Sequence, residues 1–65
     1  MTQFKTGDRV YHYRRYDPNA RTGFGRILQI EGTRAVLFWE DDEKDGGVEC
    51  RDLISEEEAA QEGLA

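Results

Sequence analysis

The stretch from Gly23 to Glu40 constrains the fold of this chain more than any other. It holds most of the large apolar residues, in two runs that Glu31-Gly32-Thr33 separates. Val, Ile, Phe and Trp favour a pleated, half-buried surface, and a glycine at the break can adopt the positive φ that a tight hairpin turn needs. The stretch therefore predicts two antiparallel strands joined by a short turn.

The flanking segments extend this hairpin into a small, strongly bent antiparallel barrel of four or five strands. Residues 9–14 alternate in composition and are rich in β-forming side chains, which predicts a first strand with Tyr11 and Tyr13 on one face. After the hairpin, a charged loop ends in Gly46-Gly47, which is a turn signal. A short fourth strand is expected over residues 48–51.

The second and third strands show how the sheet should curve and what it should bury. Strict alternation of apolar and polar residues fails between Phe24 and Ile30, which indicates the bent or bulged strand that a small barrel requires. The third strand, residues 34–40, is apolar throughout its middle, so we expect it to be central, with Val36 and Phe38 pointing inward. The expected core comprises Val10, Ile27, Ile30, Val36, Phe38 and Leu53.

Residues 1–54 are expected to form this barrel, and residues 55–65 an acidic tail that is a frayed helix or disordered. Ser55 and Glu58 fit a capping box, in which the hydroxyl accepts a hydrogen bond from a backbone amide three residues on. The tail offers only two alanines and Leu64 for apolar contacts, and a helix of this length is marginal by itself. We therefore expect the tail to contribute little to stability.

The net charge of −5 is distributed unevenly along the 65 residues. Residues 1–37 carry seven Lys or Arg against three Asp or Glu, and residues 38–65 carry two against eleven. Two interpretations stay open. Either the surface has a basic and an acidic patch that steer partners by sign, or the two halves interleave and neutralise each other.

A single cysteine, Cys50, excludes an intrachain disulfide and a cysteine-based zinc site. No apolar run approaches the roughly 18 residues of a membrane span, and the first residues lack the hydrophobic region of a signal peptide. We therefore expect a monomeric, cytoplasmic protein that is held together by packing alone and has no membrane partner.

Several short motifs resemble those of SH3-like or Tudor-like barrels in bacterial transcription-linked proteins. The motifs are Phe4-Lys-x-Gly-Asp-Arg-Val-x-His12, Gly23-Phe-Gly-Arg-Ile-x-x-Ile30 with Gly32 after it, Val36-x-Phe38 and Leu53. Over residues 4–54 their order is similar to that in the C-terminal Tudor-like domain of UvrD/PcrA-type helicases and in the RNA-polymerase-interacting domain of CarD-type regulators. The resemblance implies an SH3-like barrel that docks on RNA polymerase. A phage or accessory-element protein that modulates a host protein is a further alternative.

Catalytic chemistry needs a nucleophile or a base with an orienting partner in a concave site. His12 and Cys50 are the only residues of their types, and we expect both to be structural residues on strands. The segment from Asp41 to Asp52 resembles an EF-hand loop, but its flanks have strand patterns and an Asp replaces the closing Glu, so we expect a solvated hairpin loop. The sequence therefore predicts no catalytic residue, no cofactor and no metal site.

Aromatic and arginine side chains cluster around the long loop after the first strand. Such residues build aromatic cages for methylated cations, stacking surfaces for single-stranded nucleic acid and protein-docking surfaces, or they cover the outer face of a thin barrel. Because the net negative charge would repel phosphate, we expect docking on a protein partner through an open sheet edge and an aromatic patch. Nucleic acid is the alternative partner. The expected partner-binding residues are Tyr13, Arg14, Arg15, Tyr16, Phe24, Arg26 and Trp39.

Overall fold

The computed structural model describes residues 4–13, 19 and 21–64. The strands in these residues are β1 (Arg9–His12), β2 (Gly23–Glu31), β3 (Arg34–Trp39), β4 (Asp45–Glu49) and β5 (Leu53–Ser55), with a 3₁₀ turn over Cys50–Asp52 and one α-helix, α1, over Glu56–Gln61. The five strands form one antiparallel sheet in the order β4-β3-β2-β1-β5. The predicted all-β class with a small barrel-like sheet is confirmed. Among the described strands, β4 and β5 form the two edges of this sheet.

The hairpin predicted at the centre of the sequence is formed by β2 and β3. Glu31 pairs with Arg34 across the turn, and Gly32 has a φ of 60°, in the left-handed region that favours glycine. The pairing register shifts between Ile27 and Gln29. This shift is the bulge that the broken alternation of β2 predicted, and a bulge bends the strand that carries it.

The main core lies on one face of the sheet, which we call the inner face. Three predicted core residues are confirmed there, since Val10, Ile27 and Leu53 are each 5% exposed or less. The prediction for Ile30 is wrong, because 36% of this residue is exposed. Ile30 lies beyond the bulge and close to the hairpin turn, where the neighbouring strands no longer cover it.

The inward face of β3 is opposite to the predicted one. Leu37 is fully buried, and Trp39 is 5% exposed, whereas Val36 and Phe38 are only partly buried on the other face. The prediction that Val36 and Phe38 point inward is therefore wrong. An uninterrupted apolar run carries no alternation from which the face can be determined. Pairing decides it, because the register places Leu37 opposite the buried Ile27.

Strand β4 begins earlier than predicted, at Asp45, and ends at Glu49. Gly46 lies inside this strand because Trp39 packs closely against it. A Cβ atom at position 46 would lie only 2.6 Å from the Trp39 Nε1 atom. The connection between β3 and β4 is made by residues 40–44 instead, where Glu43 has a φ of 56°.

Helix α1 is capped at both ends and packs against β1 and β5. At its start, the Ser55 hydroxyl accepts a 3.0 Å hydrogen bond from the Glu58 amide, as the capping box predicted. At its end, Gly63 has a φ of 76°, and the Leu64 amide donates back to the Ala59 carbonyl at 2.8 Å. Ala59 is fully buried. The structure thus places the beginning of the tail against the sheet.

Candidate interaction surface

The face of the sheet opposite the main core, which we call the outer face, carries a group of aromatic side chains. Tyr11 pairs with Phe24 across β1 and β2, and their ring centroids are 4.9 Å apart in an edge-to-face arrangement. The Tyr13 ring lies 6.4 Å from that of Tyr11. All three residues are partly exposed. We call this cluster of Tyr11, Tyr13 and Phe24 the aromatic face.

Arg9 borders the aromatic face and connects it to two other elements. Its guanidinium carbon lies 4.0 Å from the centroid of the Phe24 ring. The same group donates two hydrogen bonds to Glu40, at 2.7 and 3.0 Å, and one to Glu56 at 3.1 Å. The hydrogen bonds that Arg9 donates to Glu40 and Glu56 raise the pKa of Arg9, and the bonds that Glu40 accepts from Arg9 lower the pKa of Glu40. The charge of Arg9 is therefore balanced within the molecule.

A shallow cavity of about 290 Å³ adjoins the aromatic face. Tyr11 of β1 and Tyr13, which directly follows β1, line this cavity together with Thr22 before β2 and Leu64 after α1. Apolar and aromatic walls with a few polar groups are typical of ligand pockets in proteins. The cavity therefore gives the aromatic face a concave part.

Three of the predicted partner-binding residues share the outer face. Tyr13 and Phe24 belong to the aromatic face, and Arg26 lies on the same side of β2, paired with Arg9 of β1. The Arg26 guanidinium donates to the Gly7 carbonyl at 3.2 Å. Arg14, Arg15 and Tyr16 lie outside the described residues.

Trp39, which was predicted to belong to the same cluster, lies on the inner face instead. Its ring is in edge-to-face contact with His12, at 5.5 Å between centroids, and the Arg21 guanidinium carbon lies 4.2 Å above it. Trp39 is almost completely buried and is part of the hydrophobic core. It lies at one end of the sheet. The structure does not bring it together with Tyr13 and Phe24.

Arg21 links this end of the sheet to the acidic loop after β3. Its guanidinium forms ion pairs with Asp41 and, at 3.1 Å, with Asp42, while its carbonyl oxygen is hydrogen-bonded to the His12 Nδ1 atom. The hydrogen bond to Asp42 raises the pKa of Arg21 and lowers that of Asp42. Two carboxylates of the EF-hand-like segment are thus engaged by an arginine. Within the described residues, no group of three or more His, Cys, Asp or Glu is placed to hold a metal ion.

The predicted partner-binding residues do not include three members of this surface: Arg9, Tyr11 and Leu64. The sequence did contain a signal for Tyr11, because Tyr11 and Tyr13 are two residues apart in the predicted first strand and therefore share a face. Leu64 is the only large apolar residue after Ile54, which is a weaker signal of a contact. Nothing in the sequence shows that Arg9 meets Glu40 and Glu56.

Comparisons with protein-family models, curated proteins and solved structures found no match for this chain. In the part of the chain that the structure describes, no helix combines the length and apolar character needed to cross a membrane.

Proposed function

We propose that this protein is a non-enzymatic interaction module that docks its aromatic face on a protein partner. The observation that carries the proposal is the cluster of Tyr11, Tyr13 and Phe24, which is partly exposed beside a cavity and bordered by Arg9. Tyr and Arg dominate the energetically important positions of protein interfaces, where the partner shields them from water. We propose a monomer that works in the cytoplasm.

Nucleic acid fits the described arginines less well than a protein does. Arg9, Arg21 and Arg34 each form ion pairs with carboxylates of the same chain. A phosphate would have to displace these carboxylates or bind next to them, and both cost free energy. Electrostatic attraction to phosphate supplies nearly all non-specific affinity for nucleic acid, so this pairing favours a protein partner.

The resemblance of the sequence motifs to polymerase-binding barrels makes bacterial RNA polymerase the first partner to test. Purified protein would be titrated against the polymerase and against single-stranded oligonucleotides at two salt concentrations. We expect binding to the polymerase with weak salt dependence. The Tyr11→Ala variant should lose roughly 2 kcal/mol of binding free energy, or about thirtyfold in affinity, because Tyr11 contacts both other rings.

Leu28→Ala is the matched control, since Leu28 is 46% exposed but lies at the bulge, outside the aromatic face. Its affinity should equal that of the unsubstituted protein. Oligonucleotide binding at physiological salt that disappears in an Arg14/Arg15/Arg26 triple alanine variant, together with no binding to polymerase, would overturn the proposal in favour of nucleic acid.

A further inference from the structure

Strand β4 forms an edge of the sheet, and no described strand lies on its other side. Hydrogen bonds at its two ends define which of its backbone groups face β3. The Trp39 amide donates to the Lys44 carbonyl at 2.9 Å, and the Cys50 amide donates to the Thr33 carbonyl at 2.8 Å. Because directly bonded pairs alternate along an antiparallel ladder, the even-numbered residues of β4 bond to β3. The backbone groups that point away from β3 belong to Asp45, Gly47 and Glu49.

Gly47 leaves a gap on the outer face at the middle of this edge. It pairs with Val36 and lines a shallow groove of about 150 Å³, together with Val36, Arg34 and Glu31. A Cβ atom at position 47 would meet only the mobile end of the Arg34 side chain, at 3.3 Å. Unlike Gly46, this glycine is therefore not required by close packing of the core. If another strand paired with β4, its side chain opposite Gly47 would extend over Gly47 and contact Val36.

Two carboxylates flank the gap on the same face of the strand. Asp45 and Glu49 lie two residues before and after Gly47, and alternate residues of a strand share a face. Glu49 also forms a 2.8 Å salt bridge with Arg34, so Asp45 gives the greater attraction for an incoming cation.

The two carboxylates disfavour one occupant of this edge, a second copy of the same chain. Antiparallel pairing of two β4 strands about Gly47 would place Asp45 of one copy directly opposite Glu49 of the other. Like charges directly opposite each other destabilise a strand pair. An incoming strand with lysine or arginine opposite Asp45 and Glu49 would instead be attracted at both positions.

We propose that the β4 edge binds an extended basic segment of a partner protein by strand addition. The segment carries a β-branched apolar residue opposite Gly47 and a Lys or Arg two positions to either side of it. Main-chain hydrogen bonds to Asp45, Gly47 and Glu49 supply the attachment, and the groove and the carboxylates supply the selectivity. This inference rests on the proposed function as a protein-interaction module, but it uses residues outside the aromatic face.

A synthetic peptide tests the proposal, with the sequence acetyl-Ser-Lys-Thr-Val-Thr-Lys-Ser-amide. Its side-chain pattern is the same in both directions, so it suits either strand orientation. Titration into the ¹⁵N-labelled protein should shift the amide resonances of β4 most. A peptide with Glu in place of both Lys should bind at least about fivefold more weakly, as should one with an N-methylated Val, which lacks a hydrogen-bond donor.

Two variants test whether the peptide binds at the β4 edge. Gly47→Pro removes an amide that points away from β3, a position where edge strands tolerate proline, and should abolish peptide binding. Asp45→Lys should weaken binding by about fivefold, because a repulsion replaces an attraction. Glu62→Lys makes the same charge change on an exposed residue after α1 and should leave binding unchanged. If Gly47→Pro fails to fold, the comparison of Asp45→Lys with Glu62→Lys still decides.

Three outcomes would overturn the β4 proposal: no peptide binding, resonance shifts centred on β1 and β2, or equal losses in Asp45→Lys and Glu62→Lys. None of these outcomes would remove the polymerase binding that depends on Tyr11. Failure of the edge site is thereby distinguishable from failure of the proposed function.

Discussion

Arg9 joins three parts of the fold through one guanidinium group. It lies on β1, binds Glu40 after β3 and Glu56 at the start of α1, and stacks over Phe24. Exposed ion pairs of this kind contribute at most about 1 kcal/mol each to stability. We therefore regard Arg9 as a positioning residue, which orients the aromatic face and α1 relative to each other.

Replacing Leu37 by alanine tests the inward face of β3. Leu37 is completely buried, so its loss should leave a cavity and lower the free energy of unfolding by about 2–5 kcal/mol in a urea titration. Phe38→Ala is the matched control on the outer face, and we expect a clearly smaller loss. A larger loss for Phe38→Ala would mean that the strand buries its other face.

Residues of the candidate site could be predicted only where the sequence pattern of the residue's own strand shows which face of the sheet the residue lies on. Tyr13 and Phe24 were recognised because aromatic residues on a strand beside a loop are candidates for exposure. Trp39 was predicted on the same surface because it was grouped with the aromatic residues around the long first loop, and its strand, apolar on both faces, gave no sign that the ring points inward. Its burial follows from contacts with His12 and Arg21, which are distant in sequence and leave no local signal.

At the level of elements, the features predicted correctly are those with a local cause. The hairpin turn follows from Gly32, the bulge from the broken alternation of β2, and the helix start from Ser55. The boundary of β4 was predicted wrongly because two adjacent glycines resemble a turn. Gly46 is instead required by a tertiary contact with Trp39.

Ser55→Ala measures how firmly α1 is attached. The substitution removes the acceptor for the Glu58 amide, which should lower the free energy of unfolding by about 1 kcal/mol in urea. Ser55→Asp keeps an acceptor at the cap and should retain most of that stability. Equal stability of all three proteins would show that the helix forms independently of its cap or contributes nothing.

At the level of the whole molecule, the ion pairs decide between the two interpretations of the uneven charge. Among the described residues, ion pairs join three arginines of the basic first half to carboxylates of the acidic second half. These pairs are Arg9–Glu40, Arg9–Glu56, Arg21–Asp41, Arg21–Asp42 and Arg34–Glu49. The two halves therefore interleave in the sheet and neutralise each other along these seams.

The same ion pairs predict the response of stability to acid. The pKa of Glu40 is lowered in the folded protein, chiefly by its hydrogen bond to Arg9. Its contribution is thus present above its ordinary value of 4.5 and is lost as the pH falls through the lowered folded value. Urea titrations from neutral to acidic pH should show a shallower acid loss for Glu40→Gln than for the unsubstituted protein. Glu62→Gln is the control, and parallel curves for all three proteins would contradict the prediction.

The pairing of β1 with β5 affects how the protein can be made in a cell. Val10 lies beside Ser55 in the finished sheet, yet a ribosome releases the first of these residues long before the second. The β2–β3–β4 meander and its contact with β1 can assemble on the growing chain, but one side of β1 must wait for nearly the whole domain to emerge. Closing such a long-range pair is the slow part of folding β-rich chains. The domain is therefore expected to become stable in a single late step, and a nascent chain stalled before residue 53 would expose β1 as an unpaired edge to chaperones.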